Sequence, residues 1–180
     1  MKGRGVLLDR DGTIVEDPGF LRAPEQVRLL PGAASALRDL RRAGFRIAVV
    51  TNQSGIARGM FDEATLEAIH GRLRDLLAAE GAEIDGIYVC PHHPEEGLPP
   101  YRTDCACRKP RPGLLLQALR ELDLDPKRSF SVGDSPRDLE AASAAGVPFV
   151  ALRFSDARAS HQAADLQRAA AWILARDQGR

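Results

Sequence analysis

Two carboxylates stand at the end of an apolar run near the start of the chain. Residues 6–8 are apolar, and Asp9 and Asp11 follow at once, with Gly12 and Thr13 next. Burying a charge without a partner is costly, so this placement calls for a chemical reason. Carboxylates can hold Mg2+, attack phosphorus as nucleophiles or transfer protons as general acids and bases.

Further polar and charged side chains follow later apolar runs or fill a basic loop between them. They are Thr51, Asn52, Gln53, Ser54, Arg108, Lys109, Asp134 and Asp138. In open parallel sheets, ligands bind beyond the carboxyl ends of the strands. Hydroxyl groups and fixed cations at that edge can neutralise and orient phosphoryl oxygens. Taken singly, each of these residues fits an ordinary turn, cap or surface position, but the combination indicates phosphoryl transfer.

The elements that must position these residues follow an alternating pattern. Short β-rich apolar runs alternate with amphipathic segments, which is typical of an α/β fold with a mostly parallel sheet. Asp62 is expected to cap the second helix. The long segment 91–112 has no helical or strand period, and connections of this length are usually functional. The predicted strands are 5–8, 45–50, 86–89, 129–132 and 147–151, and the predicted helices are 33–43, 63–79, 113–122, 136–145 and 163–175.

Composition limits the classes of partner. The chain has 180 residues, of which 44% are hydrophobic, and its 25 acidic and 25 basic residues give a formal net charge of zero. It therefore has no long-range field to attract nucleic acid or an anionic membrane. No segment approaches the roughly 18 apolar residues of a membrane span, and the first apolar run is too short for a signal peptide. We expect one domain over 1–180, a cytoplasmic monomer and a small-molecule substrate.

The segment 90–108 carries a possible second metal site. Cys90-x-His92 and Cys105-x-Cys107 supply three thiolates and an imidazole, a ligand set suited to tetrahedral zinc. His93 is the alternative imidazole. An odd number of cysteines in a chain of this kind argues against a disulfide framework. A closed zinc site would be structural and would fix a loop that has no other means of folding.

The motifs resemble those of the haloacid dehalogenase superfamily. "DRDGT", Thr51, Lys109 and "GDSPRD" occur in the order of the four motifs of that family. The resemblance implies a doubly wound, Rossmann-like core in which Asp9 is the nucleophile and Asp11 the general acid/base. It also implies a magnesium ion and a bound phosphoryl group. The implied magnesium ligands are Asp9, the backbone carbonyl of Asp11 and Asp134, supported by Asp138, and the implied phosphoryl ligands are Thr51 and Lys109.

Three further stretches narrow the resemblance to a branch of this family. "TNQSGIARG", "CPHHP" and "CACRKPRPG" are similar to the histidinol-phosphatase-like branch. This implies His92 rather than His93 as the zinc ligand, and no large cap domain. Substrate contacts would then come from Asn52, Gln53, Ser54 and Arg108.

The implied activity is that of a small-molecule phosphatase. The similarity is strongest to members that remove the 7-phosphate of a heptose 1,7-bisphosphate for lipopolysaccharide synthesis. Histidinol phosphate remains the alternative substrate, and a zinc-stabilised interaction module with an inactive site would lack one of the four motif residues that are all present here. Arg10 is expected to point away from the two aspartates, because alternate side chains of a strand face opposite ways.

Overall fold

A six-stranded sheet flanked by helices forms the core of the chain. The computed structural model describes residues 2–178. Single turns of 3-10 helix occur at Pro24–Gln26 and Pro126–Arg128. The strands are β1 Gly5–Leu8, β2 Arg46–Asn52, β3 Gly86–Cys90, β4 Phe130–Gly133, β5 Phe149–Leu152 and β6 His161–Ala163; the helices are α1 Ala33–Arg42, α2 Glu63–Ala79, α3 Gly113–Glu121, α4 Pro136–Ala144 and α5 Leu166–Gln178.

All pairings between neighbouring strands are parallel. The order across the sheet is β3-β2-β1-β4-β5-β6, so the chain winds outward from β1 in both directions. Leu8 at the end of β1 lies opposite Val49 of β2 and Val132 of β4. This register brings the carboxyl ends of the three central strands to one edge. The doubly wound, Rossmann-like fold expected from the sequence is confirmed.

Two hydrophobic cores lie on opposite faces of the sheet. Val6 and Leu8 pack with α1, α2 and α5, whereas Leu7 between them packs with α3 and α4. Side chains of a strand alternate between faces, so a strand covered by helices on both sides must be apolar at every position. This explains why the central strands read as unbroken apolar runs in the sequence.

Most predicted elements are present with ends shifted by one or two residues, as is usual for element boundaries. The prediction for α2 is confirmed at both ends, and the Asp62 carboxylate caps it by accepting a hydrogen bond from the Thr65 amide at 2.8 Å. The prediction for the last helix was wrong at its start. It begins at Leu166 because His161–Ala163 first pairs with β5 as a sixth strand. These three residues have little intrinsic β preference, so tertiary pairing decides their conformation.

Two irregular segments reach the site from this frame. Residues 91–112 contain no helix and only one isolated bridge, between His93 and Arg102. The other segment lies between β1 and α1 and contains the turn at Pro24–Gln26. Among residues 2–178, no helix combines the length and apolar character needed to cross a membrane.

Candidate active site

A cavity of about 250 Å³ opens where the central strands end. Carboxylates and cations line it together. Among the residues predicted to act in catalysis, phosphate or substrate binding, or magnesium binding, all line the cavity except Thr51 and Gln53. These two are buried beside it. The lining residues are Asp9, Asp11, Asp17, Gly19, Phe20, Asn52, Ser54, Arg58, Arg108, Lys109, Asp134, Ser135, Arg137 and Asp138.

Lys109 joins a carboxylate at the end of β1 to a carboxylate in the first turn of α4. Its Nζ lies 2.7 Å from Asp9 Oδ1 and 2.6 Å from Asp138 Oδ1, and it donates to the Val50 carbonyl at 2.8 Å. An ammonium has three N–H groups, so all three have acceptors. Lys109 therefore fixes the Asp9 carboxylate as well as placing a positive charge at the floor of the cavity.

The pKa values of this group are shifted by burial and by one another. Burial raises the pKa of Asp9 to about 7; the Lys109 ammonium opposes this rise and the Asp138 carboxylate adds to it. Burial disfavours the Lys109 ammonium, but the Asp9 and Asp138 carboxylates outweigh it and raise the pKa of Lys109. Burial, followed by the nearby Asp138, also raises the pKa of Asp134. Such carboxyl groups favour a bound cation, since a metal ion reverses the effect of burial.

Asn52 holds the backbone of Lys109. Its Nδ2 donates to the Lys109 carbonyl at 3.0 Å, and its Oδ1 accepts from the Lys109 amide at 3.0 Å. Asn52 is the last residue of β2, whereas Lys109 comes from the long segment after β3, so this pair attaches the segment to the sheet. Both polar groups of the Asn52 side chain are thus used within the protein, although the residue also lines the cavity.

Gln53 contacts the predicted general acid/base. Its Nε2 donates to Asp11 Oδ2 at 2.7 Å and to Thr51 Oγ1 at 2.9 Å. Thr51 and Gln53 are both buried. The two residues that follow β2 and were predicted to contact substrate therefore differ. Ser54 lines the cavity, whereas the Gln53 amide orients other side chains of the site.

The expectation that Arg10 points away from the aspartates is wrong. Its Nε donates to Asp11 Oδ1 at 3.1 Å and its Nη2 to Asp11 Oδ2 at 3.0 Å, and the side chain is 1% exposed. Arg10 lies outside the strand, because β1 ends at Leu8 and the Arg10 carbonyl accepts hydrogen bonds from the backbone amides of residues 13–15. A turn does not preserve the alternation of a strand.

The carboxylates of Asp9, Asp134 and Asp138 form a group that could hold a metal ion. One oxygen of each lies within 4.8 Å of the others. Asp138 is also committed elsewhere, because its Oδ2 accepts from the Ser135 amide and hydroxyl at the start of α4. The turn after β1 passes close to this group: a Cβ on Gly12, whose φ is +73°, would lie 2.0 Å from Asp134 Oδ2. The donor set suits a hard cation such as Mg2+.

Three arginines face the cavity beside the carboxylates. Burial lowers the pKa of Arg108, and the positive charges of Arg137 and Arg58 lower it further, although nearby thiols oppose this. Arg58 pairs with Glu96 of the segment 91–112, and its buried Nε has no hydrogen-bond partner within residues 2–178. Across residues 2–178, no carboxylate lies within ion-pair distance of Arg108 or Arg137. Arg58 and Arg137 could not be predicted from the sequence, since an isolated arginine in a loop or first helical turn gives no motif signal.

The cysteine-rich segment forms a compact cluster of potential ligands. Its sulfur–sulfur separations are 3.1 Å for Cys90–Cys107, 3.3 Å for Cys105–Cys107 and 3.6 Å for Cys90–Cys105. These exceed a disulfide bond length, and all three cysteines are free. His92 Nδ1 lies 3.4 Å from Cys107 Sγ, whereas His93 Nδ1 accepts amide hydrogens of its own loop. Tetrahedral zinc with sulfur at about 2.3 Å needs ligand separations of about 3.8 Å, which this group meets after small shifts.

The cluster and the cavity are joined by the chain itself. Arg108 and Lys109 directly follow Cys107 in the sequence. Arg108 also donates through Nη1 to the His92 carbonyl at 3.1 Å. The positions of both cations are therefore set by the conformation of the cysteine-rich segment.

Comparisons with known proteins agree with this geometry. A 7-phosphatase of D-glycero-beta-D-manno-heptose-1,7-bisphosphate from Rhodopseudomonas palustris is 46% identical over 143 residues, which cover 79% of each chain. The enzyme of the same name from Escherichia coli K12 is 41% identical and covers 94% of this chain and 87% of its own. The crystal structure of D,D-heptose 1,7-bisphosphate phosphatase from B. bronchiseptica, complexed with magnesium and phosphate, superposes with a TM-score of 0.84 at 36% identity, covering 96% of this chain and 99% of that one.

A family model matches residues 9–146, which include all four motifs described above. The matched stretch begins at the first aspartate after β1 and ends just after α4. It therefore contains the cluster of Asp9, Asp134 and Asp138 and the whole cysteine-rich segment. This chain belongs to the haloacid dehalogenase-like hydrolases.

Proposed function

We propose that this protein removes the 7-phosphate of D-glycero-D-manno-heptose 1,7-bisphosphate, with all of residues 1–180 acting as one phosphatase domain. The observation that carries the proposal is the shared cavity, in which a carboxylate group suited to phosphoryl transfer lies beside Arg58, Arg108 and Arg137. One phosphate of such a substrate lies at the cluster of Asp9, Asp134 and Asp138, and the other contacts the guanidinium groups of the three arginines. Guanidinium is well suited to phosphate because it presents a planar fork of donors.

The arginines favour the heptose bisphosphate over histidinol phosphate. Histidinol phosphate carries an ammonium group at neutral pH in place of a second anion, so three cations in one wall would repel it. The relatives from R. palustris and E. coli, both named for the β anomer, support the β heptose as the preferred substrate.

The first half-reaction uses Asp9 as the nucleophile. One Asp9 oxygen forms a bond to phosphorus while the bond between phosphorus and the sugar oxygen breaks, and the electron pair stays on the sugar oxygen. Asp11 gives that oxygen its proton, so the sugar leaves as a neutral alcohol. Lys109 holds the attacking carboxylate and offsets negative charge on the phosphoryl oxygens.

The second half-reaction restores the enzyme. Asp11, now a carboxylate, takes a proton from water as the water oxygen attacks phosphorus. The bond between phosphorus and Asp9 breaks, and inorganic phosphate leaves. Asp9 and Asp11 thereby return to their starting states.

Magnesium fits the carboxylate group at the strand ends. Asp9, the backbone carbonyl of Asp11 and Asp134 would hold the ion, which would draw charge from the phosphoryl oxygens and favour the ionised form of Asp9. Asp138 supports the site indirectly by pairing with Lys109 at 2.6 Å.

The residues at the end of β2 and directly after it have different roles in this proposal. Thr51 and Ser54 offer hydroxyl groups to the phosphoryl group and the substrate. Asn52 acts through the backbone of Lys109, and Gln53 acts through Asp11. Asn52 and Gln53 therefore affect catalysis by positioning other groups of the site.

We also propose that Cys90, His92, Cys105 and Cys107 hold a structural zinc ion. Four protein ligands leave no position open for water, which is the arrangement of structural rather than catalytic zinc. The ion would fix the segment that carries Arg108 and Lys109 into the cavity.

The test of this function is phosphate release from the α and β heptose 1,7-bisphosphates and from histidinol phosphate, with Mg2+ present. Asp9→Asn is the blank, because it removes the nucleophile with little change in size. We expect the β heptose bisphosphate to give the highest kcat/KM, and phosphorus NMR of the product to show that the 1-phosphate remains.

Preference for histidinol phosphate would overturn the proposed substrate and keep the proposed mechanism. Equal turnover by wild type and Asp9→Asn would overturn the mechanism itself.

A further inference from the structure

We infer that Arg10, supported by His70, is a positioning residue that orients Asp11 for proton transfer to and from the reacting oxygens. This inference rests on the proposed function, since it concerns the role of Asp11 in that reaction. Arg10 itself does not line the cavity, and its guanidinium group contacts Asp11 and His70 instead.

Arg10 donates hydrogen bonds to both carboxylate oxygens of Asp11. Nε contacts Oδ1 at 3.1 Å and Nη2 contacts Oδ2 at 3.0 Å. Two parallel bonds fix the plane of the carboxylate, which a single bond would leave free to rotate. Gln53 adds a third donor at Oδ2. A proton-transfer group must hold such an orientation, because small misplacements of a reacting group cost large factors in rate.

The other side of the Arg10 guanidinium is anchored on α2. Its Nη1 lies 3.0 Å from His70 Nε2. Burial, followed by the positive charges of Arg10 and Arg74, lowers the pKa of His70 to about 3. His70 is therefore neutral at physiological pH, and since an arginine can only donate, His70 Nε2 accepts this hydrogen bond. A neutral imidazole accepts the remaining Arg10 hydrogen bond. A second carboxylate in its place would compete with Asp11 for the Arg10 guanidinium.

A purely structural role explains these contacts poorly. In the part of the chain from residue 2 to 178, Asp11 is the one carboxylate within ion-pair distance of Arg10, which is 1% exposed. A buried ion pair of this kind adds little stability relative to well-packed apolar residues. Asp11 itself lines the cavity, so the pair joins a buried cation to a reacting group.

The experiment compares two phosphate esters that differ in their need for a general acid. A sugar oxygen leaves only with a proton, whereas 4-nitrophenolate leaves readily without one. kcat/KM reports the steps up to release of the alcohol, so Arg10→Met should lower kcat/KM for the heptose bisphosphate by about 10²-fold, in the range of general acid catalysis. The loss for 4-nitrophenyl phosphate should be less than about 10-fold on the same ground.

Two further variants separate positioning from loss of structure. Asp11→Asn should show the same bias between the esters, and the double variant Arg10→Met with Asp11→Asn should lose little beyond Asp11→Asn alone, because residues that act as a unit are not additive. Arg41→Met is the matched control: it also removes an arginine from an ion pair, with Asp85, but at the amino-terminal edge of β2. It should leave both kcat/KM values within about twofold of wild type.

Should Arg10→Met not fold, His70→Leu provides a second route, because it removes the anchor of Arg10 without touching Asp11. We expect the same bias between the esters with a smaller loss. Equal losses for both esters in a folded Arg10 or His70 variant would overturn the inference, as would no loss for either ester.

Failure of the proposed function gives a different result. If wild type hydrolyses another alkyl phosphate instead of the heptose bisphosphate, the same comparison is made with that ester. If no ester is hydrolysed, crystal structures of wild type and the Arg10 and His70 variants decide the matter. A changed or multiple Asp11 orientation supports the inference, and an unchanged one overturns it.

Discussion

At the scale of single residues, the charge of Asp9 depends on two neighbours with opposite effects. Lys109 favours the carboxylate, whereas burial and Asp138 favour the neutral acid, and the net result is a pKa of about 7 without a metal ion. A nucleophile must be ionised, and a metal ligand must be deprotonated. Protons and Mg2+ therefore compete for the same group near neutral pH.

This competition predicts that Mg2+ affinity falls as pH is lowered through about 7. Below the pKa of Asp9, binding of Mg2+ must displace one proton, so the dissociation constant should rise about tenfold for each pH unit. Above that pKa it should be nearly constant. Titration calorimetry from about pH 5.5 to 8.5 measures both limbs.

Asp138→Asn supplies the internal comparison for this prediction. It removes the carboxylate that raises the pKa of Asp9 and leaves Lys109 to pair with Asp9 alone. The break in the affinity profile should move to lower pH. A break that stays at the wild-type pH would show that Asp138 does not influence Asp9.

Gly12 gives a second prediction at this scale. Its φ of +73° disfavours any side chain, and a Cβ there would meet the Asp134 carboxylate at 2.0 Å. Gly12→Ala should lose about 1 kcal/mol of stability from the backbone conformation, and it should also weaken Mg2+ binding because Asp134 must move. Urea unfolding and calorimetry measure the two effects separately.

The matched control is Gly146→Ala, at a φ of +71° with no atom within 4 Å of the added Cβ. It should lose a similar free energy of unfolding and bind Mg2+ as wild type does. Equal Mg2+ affinity in the two variants would contradict the role given to the contact with Asp134.

Residue identities predicted the types of group at the site better than their partners. Asp9 and Asp134 could be placed at strand ends, and Lys109 in a basic loop beside them, from the apolar runs and the order of the motifs. The grip of Arg10 on Asp11 could not, because it depends on where β1 stops and the turn begins. Asn52 was expected beyond a strand at 45–50 but is the last residue of β2, and its two bonds to the Lys109 backbone connect residues 57 positions apart, which no local pattern encodes.

At the scale of elements, the cysteine-rich segment replaces regular structure with a cluster of side chains. It runs from the end of β3 to the start of α3. Its carboxyl-terminal part inserts Arg108 and Lys109 into the cavity, and Gly113 at the start of α3 donates its amide to the Ala106 carbonyl at 3.1 Å. The cluster fixes the path of the backbone that leads to Lys109. The bonds from Asn52 and the contacts of Lys109 Nζ hold only Lys109 itself.

Loss of one cluster ligand should therefore remove both zinc and activity. Cys107→Ser is expected to fall from about one bound zinc per chain to about none, and kcat/KM should drop by about 10²-fold through misplacement of Lys109. Elemental analysis and phosphate release measure the two effects. Ala106→Ser, which changes the same loop and keeps all four ligands, should retain zinc and activity.

Metal removal tests the same element in the unmodified chain. After chelation, Mg2+ alone should not restore activity, whereas Zn2+ followed by Mg2+ should. Full recovery with Mg2+ alone would show that the cluster does not need a metal ion to position Lys109.

The alternation of apolar runs predicted five of the six strands and all five helices because each has its own period or apolar character. The strand His161–Ala163 lacks such a signal and forms only through pairing with β5. Helices and strands could thus be predicted from the sequence wherever the local pattern and the tertiary environment favour the same structure.

At the scale of the whole molecule, a formal net charge of zero is combined with a strongly charged cavity. Long-range attraction of an anionic substrate is weak for such a protein. In the proposed function, recognition of the substrate then depends on charges that act only within the cavity, those of Arg58, Arg108 and Arg137. Ionic strength should therefore act on substrate affinity through these three groups.

We predict that KM for the heptose bisphosphate rises several-fold between about 0.1 and 1 M salt, where the screening length falls from about 10 to 3 Å. kcat should change less, because the buried contacts of Lys109 and Asp9 are screened less than open ones. Steady-state kinetics at several salt concentrations measure how KM depends on salt.

Arg137→Met should raise KM at low salt and make KM less dependent on salt. Arg42→Met is the matched control, since it removes one positive charge from a side chain that is 73% exposed on α1. Both variants change the net charge by the same amount, so equal effects on KM would mean that overall charge, rather than the arginines of the cavity, selects the substrate.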